Sequence, residues 1–303
     1  MKTVRNFKAV LLLTTIVTLL ATNLVKAQTY SFKCEVSGQG EAVILIPGMT
    51  CPGEVWQETV AMLQKHYQCH VLTLPGFAGH TALDSVPDDY LGLIRDEIFR
   101  YIDEQNLSKV HLIGHSLGGF LSLDLASRQP DSFGKILVVD GLPFLGGMMD
   151  PSMTEEKAKP MAENMKQMSL QQGSSQSQYN RQMLKMMITA EEDIDTAIQW
   201  GLKSDPRTVA QTMYNLYTTD LRDDIAAIQS PVLVLGAWVA YQDYGATRES
   251  TSQIYHAQYH QLNGYRLEMT DRGRHFIMWD DKPFFFAQLQ DFFGLPATNV
   301  SQN

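Results

Sequence analysis

Short apolar runs alternate along the chain with longer stretches whose apolar positions recur every three or four residues. Ala42–Ile46 is a β-branched run closed by Pro47-Gly48, and Cys69–Leu74 is a second closed by Pro75-Gly76. Val110–Ile113 ends at Gly114, and Lys135–Val139, Val232–Leu235 and Tyr265–Met269 complete six strand candidates. Runs this short and nearly continuously apolar fit strands buried on both faces, as in a parallel sheet. Between them, Leu91, Ile94, Ile98 and Ile102 carry a helical period behind the start signal Pro87-Asp88-Asp89. Phe120–Ser127 continues another helix, which Pro130 terminates. Strands alternating with helices predict an α/β fold, a mostly parallel doubly wound sheet.

One stretch breaks the alternation. From Gly146 to Asp224 helical patterns take over, which predicts a helical cap at residues 146–224 inserted into a core formed by 28–145 and 225–303. The cap would lie over the C-terminal edge of the sheet. It holds 10 of the 15 methionines, Met148 to Met213. Most of these are expected in the core of the helical layer, and a few in an adaptable apolar pocket. The polar tract Gln171–Gln178 is expected to be a flexible connection.

Residues 1–27 read differently. Lys2, Arg5 and Lys8 precede the apolar stretch Ala9–Leu20, and Val25-Lys26-Ala27 forms a cleavage site before Gln28. These features predict a secretory signal peptide, and hence a periplasmic or secreted protein with no stable membrane span after cleavage. Its removal takes away four basic residues and no acidic one, moving the net charge from −9 to −13 over 276 residues. Such acidity, with no basic run longer than two residues, argues against a nucleic-acid partner. In an oxidising compartment Cys34, Cys51 and Cys69 allow at most one intramolecular bridge. Cys34 with Cys69 is the favoured pair. Three buried thiols are the alternative. Their spacing fits no zinc site, so neither a metal nor a cofactor is expected.

The chemistry concentrates in Val110–Gly119. It reads strand, then Gly114-His115-Ser116-Leu117-Gly118, then helix, which is the G-x-S-x-G elbow in its strand–turn–helix context. A serine on so sharp a turn needs glycine on both sides, because the neighbouring backbone passes too close for a Cβ. The helix that follows favours negative charge at its start.

With this elbow the chain resembles the α/β-hydrolase superfamily, in its lidded esterase and lipase-like branch. The resemblance extends over nearly all of the chain after residue 27. It implies Ser116 as nucleophile and His275, in Gly273-Arg274-His275-Phe276 ahead of Asp280-Asp281-Lys282-Pro283, as the base. It implies an oxyanion hole from the backbone N–H groups of Met49 and Leu117. Pro47 stands where the family usually has histidine, which alters the hydrogen bonding of that loop but not the identity of the donor. The acid departs from the pattern. The commonest site of the family, G-x-x-D, reads Gly236-Ala237-Trp238-Val239 here, without a carboxylate. Two candidates remain: Asp140, at the end of the strand after the elbow, and Asp243, four residues past the usual site. Asp140 is preferred, because an acid that orients a histidine belongs on a rigid strand end.

The reaction implied is hydrolysis of a small or medium apolar carboxylic ester through an acyl-enzyme, with Trp238, Tyr241 and His115 lining the substrate site. A serine nucleophile excludes the dehalogenase and epoxide-hydrolase branches. Alternatives on the same residues are proline-type peptide cleavage, with Glu191-Glu192-Asp193 receiving the substrate amine, and C–C bond hydrolysis or lysis. From another class, a binding protein that no longer turns over also remains.

Overall fold

The computed structural model describes residues 30–172 and 177–296. The expected signal peptide and residues 173–176 of the Gln171–Gln178 tract lie outside the described residues. The remainder is built on a seven-stranded sheet of β1 (Lys33–Ser37), β2 (Glu41–Ile46), β3 (Tyr67–Thr73), β4 (Val110–His115), β5 (Phe133–Val139), β6 (Val232–Ala237) and β7 (Arg266–Thr270). Their order is β1-β3-β2-β4-β5-β6-β7, and only the edge pair β1–β3 is antiparallel.

All six apolar runs are strands, and the central ones are buried as a two-sided sheet requires. Every residue of β4 and β6 is buried, and so are five of the six in β2. β1 is not among those runs. Its sequence Lys-Cys-Glu-Val-Ser buries no residue fully, so it lacks the apolar signature of a central strand. The β1–β3 register also corrects the favoured disulfide. Cys34 lies opposite Leu72, and Cys69 opposite Ser37. The offset of three residues, about 10 Å along a strand, is beyond the reach of a disulfide. All three cysteines are free thiols, with Cys51 and Cys69 buried.

Helices pack on both faces, among them α1 (Gln57–Leu63), α2 (Tyr90–Glu104) and α3 (Leu117–Arg128). The start signal before α2 acts as a cap, since the Asp89 side chain accepts from Gly92 N. The insertion between β5 and β6 comprises α4 (Glu155–Gln172), α5 (Ser177–Met187), α6 (Glu191–Leu202) and α7 (Pro206–Thr218). α7 is seated on the core through its polar face: the Gln211 and Asn215 amides donate to Asp88 O at 2.6 and 2.8 Å. Arg222 joins the two ends of the insertion. It donates to Pro151 O and Met153 O, both at 2.7 Å, and lies 4.8 Å over the Phe144 ring. After β6 come α8 (Arg248–Gln258), α9 (Ile277–Asp280) and α10 (Lys282–Phe293).

The methionine expectation needs correction. None of the ten cap methionines is buried, and Met149, Met161, Met168 and Met183 are exposed. α4 packs on α7, and its buried positions are the alanines Ala158 and Ala162, one helical turn apart. Six of the ten methionines are half-buried, Met187 among them against the core, and four are exposed.

Candidate active site

The strand order reverses between β2 and β4. From β2 the chain steps to β3 on one side, where β1 lies at the edge, then crosses back to β4 and steps outward to β7 on the other. In open α/β sheets, ligands bind beyond the carboxyl ends of the strands at such a switch point. Here neighbouring strands release the sequence-predicted residues side by side. Ile46 pairs with Gly114, His115 with Val139, and Val139 with Leu235. The residues just beyond are the Gly48-Met49 loop, Ser116, Asp140 and the Ala237-Trp238 segment.

Ser116 has φ 53° and ψ −115°, a strained conformation for a residue with a Cβ. Its N–H donates to Val139 O at 2.9 Å, and Phe120 N returns to Ser116 O at 3.0 Å, fixing the turn from both sides. The flanking glycines are steric necessities. A Cβ at Gly114 would sit 2.1 Å from Gly118 O, and one at Gly118 would sit 2.1 Å from Ile46 O. Gly48 faces the same turn, since a Cβ there would lie 3.5 Å from Ser116 Cβ. The loop bearing Met49 N–H therefore crosses directly over the serine. Leu117 opens α3, so its N–H belongs to the first helical turn, whose donors have no intrahelical acceptor.

Of the two candidate acids, Asp140 is the one at the imidazole. Its Oδ2 lies 2.5 Å from His275 Nδ1, while Oδ1 accepts from Ala237 N at 2.9 Å and from the Tyr255 hydroxyl. The Asp140 backbone is also in the left-handed region, φ 49°, and its N–H donates to Leu235 O at 2.8 Å. Asp243 is exposed, on the 3₁₀ turn Val239–Tyr244. That turn carries its carboxylate outward, so the alternative acid is set aside.

The loop bearing His275 is held from three directions. Within it, Thr270 Oγ1 donates to the buried Asp281 carboxylate at 2.7 Å and accepts from Gly273 N at 2.9 Å. Arg274 N donates to Asp280 Oδ2 at 2.9 Å. Both aspartates of the closing motif thus have structural partners. From the cap, Phe276 N donates to Met187 O at 3.2 Å, Thr189 N to Asp280 Oδ1 at 2.9 Å, and Arg274 to the carbonyls of Lys185 and Ile188. From the elbow, His115 Nε2 lies 3.1 Å from His275 O and therefore carries the proton.

His115 is 1% exposed, packed among His275, Phe276 and Trp56. Burial, then the neighbouring His275, pushes it well below the ordinary imidazole range, so it is neutral. Its role in the geometry is to hold the His275 backbone rather than to line an open pocket. Trp238 is half-buried, and its indole N–H reaches Asp271 at 3.2 Å, toward the surface. Tyr241 is 45% exposed, and its hydroxyl is raised by partial burial first, then by Asp140 and Tyr217. The sequence reading missed Tyr255. No motif marks it, because it lies on α8 and touches Asp140 from 115 positions away. Two clefts, of about 140 Å³ beside Trp200 and Trp279 and about 320 Å³ beside Arg95 and Arg128, include neither Ser116 nor His275.

A model of the alpha/beta hydrolase family matches residues 43–289, and the chain belongs to that family. A pimeloyl-acyl-carrier-protein methyl ester esterase of Vibrio cholerae is 31% identical over 115 residues. That match spans 38% of this chain and 42% of the esterase, less than half of either. An N-formylmaleamate deformylase of Pseudomonas putida is 22% identical over 265 residues, 86% of this chain and 91% of its own. Among solved structures, a hydrolase of Pseudomonas aeruginosa superposes with TM-score 0.70 at 16% identity, covering 87% of this chain and 94% of that one. A carboxylesterase of Nitrososphaera gargenis superposes at 0.69 with 14% identity, covering 87% and 94%. Likenesses of this kind concern the fold, which is that of an α/β-hydrolase.

Proposed function

We propose that the protein is an exported serine hydrolase that cleaves a small or medium apolar carboxylic ester through an acyl-enzyme. The observation that carries the reading is the pair of Asp140 Oδ2 and His275 Nδ1 at 2.5 Å, next to a serine on a strained turn. In this reading His275 takes the Ser116 proton as the hydroxyl attacks the ester carbonyl. The N–H groups of Met49 and Leu117 receive the oxyanion, and the start of α3 adds a favourable dipole. His275 then gives its proton to the leaving alcohol, and the cycle repeats with water on the acyl-enzyme. Asp140 fixes the tautomer of His275 and stabilises the imidazolium that forms twice per turnover.

The esterase and deformylase among the relatives support hydrolysis of an ester or a related acyl bond. Peptide cleavage gains less support, because Glu191 is engaged by Arg181 and Lys185, both at 2.8 Å, within the cap. The cap of residues 146–224 and the aromatics Tyr241 and Trp238 would set the substrate. Among the described residues no helix is long and apolar enough to cross a membrane. The proposed export rests on residues 1–27, which have the form of a secretory signal, and the acidic balance disfavours a nucleic-acid partner.

The test is labelling with a fluorophosphonate probe, then turnover of short and long p-nitrophenyl esters and of proline arylamides. The expected result is a Ser116 adduct and faster turnover of the short and medium esters. An intact Ser116 after prolonged exposure would sink the hydrolase reading in favour of a binding protein, and preference for the arylamide would replace the substrate class.

A further inference from the structure

We infer that Tyr255 is a positioning residue for the acid of this site: its buried hydroxyl occupies Asp140 Oδ1 and thereby leaves Oδ2 to His275. The inference rests on the serine-hydrolase reading above. A carboxylate turns about its terminal torsion between broad, nearly equivalent wells, so one hydrogen bond to an imidazole does not fix its plane. Here Oδ1 receives two donors, Ala237 N–H at 2.9 Å and the Tyr255 hydroxyl. Both come from elements outside the His275 loop. The plane is therefore set by partners other than His275.

The surroundings of Tyr255 are built for this contact. Its ring is buried, and the space it uses lies beside Gly236, in β6. A Cβ at Gly236 would fall 2.9 and 3.0 Å from Tyr255 Cε2 and Cζ, and 2.5 Å from Met269 Sδ. Any side chain there would drive the ring off Asp140. One turn further along, Tyr259 donates to Gly141 O at 2.8 Å and braces the backbone next to the left-handed Asp140, without touching the carboxylate. The two tyrosines divide the work, Tyr255 on the acid and Tyr259 on the chain that bears it. Burial, then the Asp140 charge, keeps the Tyr255 phenol well above its ordinary range, so it remains a donor. The titratable groups facing Asp140 are His275, Tyr255, Tyr259 and Tyr241.

The experiment measures p-nitrophenyl butyrate turnover and the rate of fluorophosphonate labelling of Ser116 in the full chain, with the thermal midpoint as a check on folding. Tyr255→Phe is expected to lower kcat about tenfold, the size of one hydrogen bond to a charged group, with KM within about twofold. Tyr259→Phe, which loses the bond to Gly141 O, is expected to lower the thermal midpoint by several degrees. Added to Asp140→Asn, Tyr255→Phe should change the labelling rate less than about twofold, because the carboxylate through which it acts is gone. A wild-type kcat in Tyr255→Phe would overturn the inference, and so would an equal loss in the Asp140→Asn background. Failure of the wild-type protein to label at all would instead strike the serine-hydrolase reading itself.

Discussion

The serine side and the acid side of the site are built by opposite means. Ser116 owes its conformation to its own neighbourhood. Gly114 and Gly118 admit the backbone contacts, and the strand before and the helix after are continuous with it in sequence. Asp140 owes its orientation to residues far along the chain, Ala237 97 positions away, Tyr255 115 and His275 135. A strained turn can be encoded in five residues, because sterics act locally. A carboxylate aimed at one nitrogen needs partners from several elements, and these meet only after the sheet has formed.

The contrast breaks most sharply at the acid. Asp140→Asn should cut kcat by about 10⁴-fold, since an amide there favours the wrong imidazole tautomer, while Asp243→Asn leaves it unchanged. Steady-state turnover of a p-nitrophenyl ester decides between them, and the reverse outcome would return the acid to the 3₁₀ turn after β6. On the serine side the corresponding change is steric. Gly118→Ala places a Cβ 2.1 Å from Ile46 O and 2.9 Å from Pro47 O, both backbone atoms of the β2 end that carries Met49. It should cost about 3 kcal/mol in urea unfolding and slow probe labelling as well. Wild-type stability in that variant would show that the turn is not locally determined.

The same division governs what was legible in the sequence. The central strands could be read because burial on both faces leaves continuous apolar runs, and the elbow because its glycines are sequence neighbours. β1 escaped because an exposed edge strand needs no such run. Asp140 could be preferred to Asp243 from its strand end, but Tyr255 could not be found, since nothing in a helix marks a hydroxyl for a distant carboxylate. The segment between β5 and β6 was readable as helical, yet most of its methionines were expected in a core and none is fully buried. Their number says little about which face of a helix is covered, and on α4 the buried positions described are Ala158 and Ala162.

His275 belongs to neither scheme wholly, because its loop is tied to the cap. Arg274→Ala removes the side-chain bonds to Lys185 O and Ile188 O, while Phe276 N→Met187 O persists. We expect a loss of about 1 kcal/mol in thermal stability and a few-fold fall in kcat. Unchanged kinetics with lowered stability would separate the cap from the chemistry.

The smallest expected effect is on pH dependence, and it sharpens the link between the two sides, since His115 adjoins Ser116 and holds the backbone of His275. Its pKa in the folded chain is depressed, by burial first and by His275 second, so the unfolded chain binds its proton more readily. The stability that rests on a neutral His115 is therefore present above the unfolded value, about 6.5, and is lost as pH falls below it. His70 and His111 are also lowered by burial and contribute in the same direction. In His115→Asn the urea midpoint should fall less steeply between pH 6.5 and 5 than in the parent. Identical slopes would mean that His115 takes up its proton equally in the folded and unfolded chains, and that its bond to His275 O does not couple the elbow to the pH of the medium.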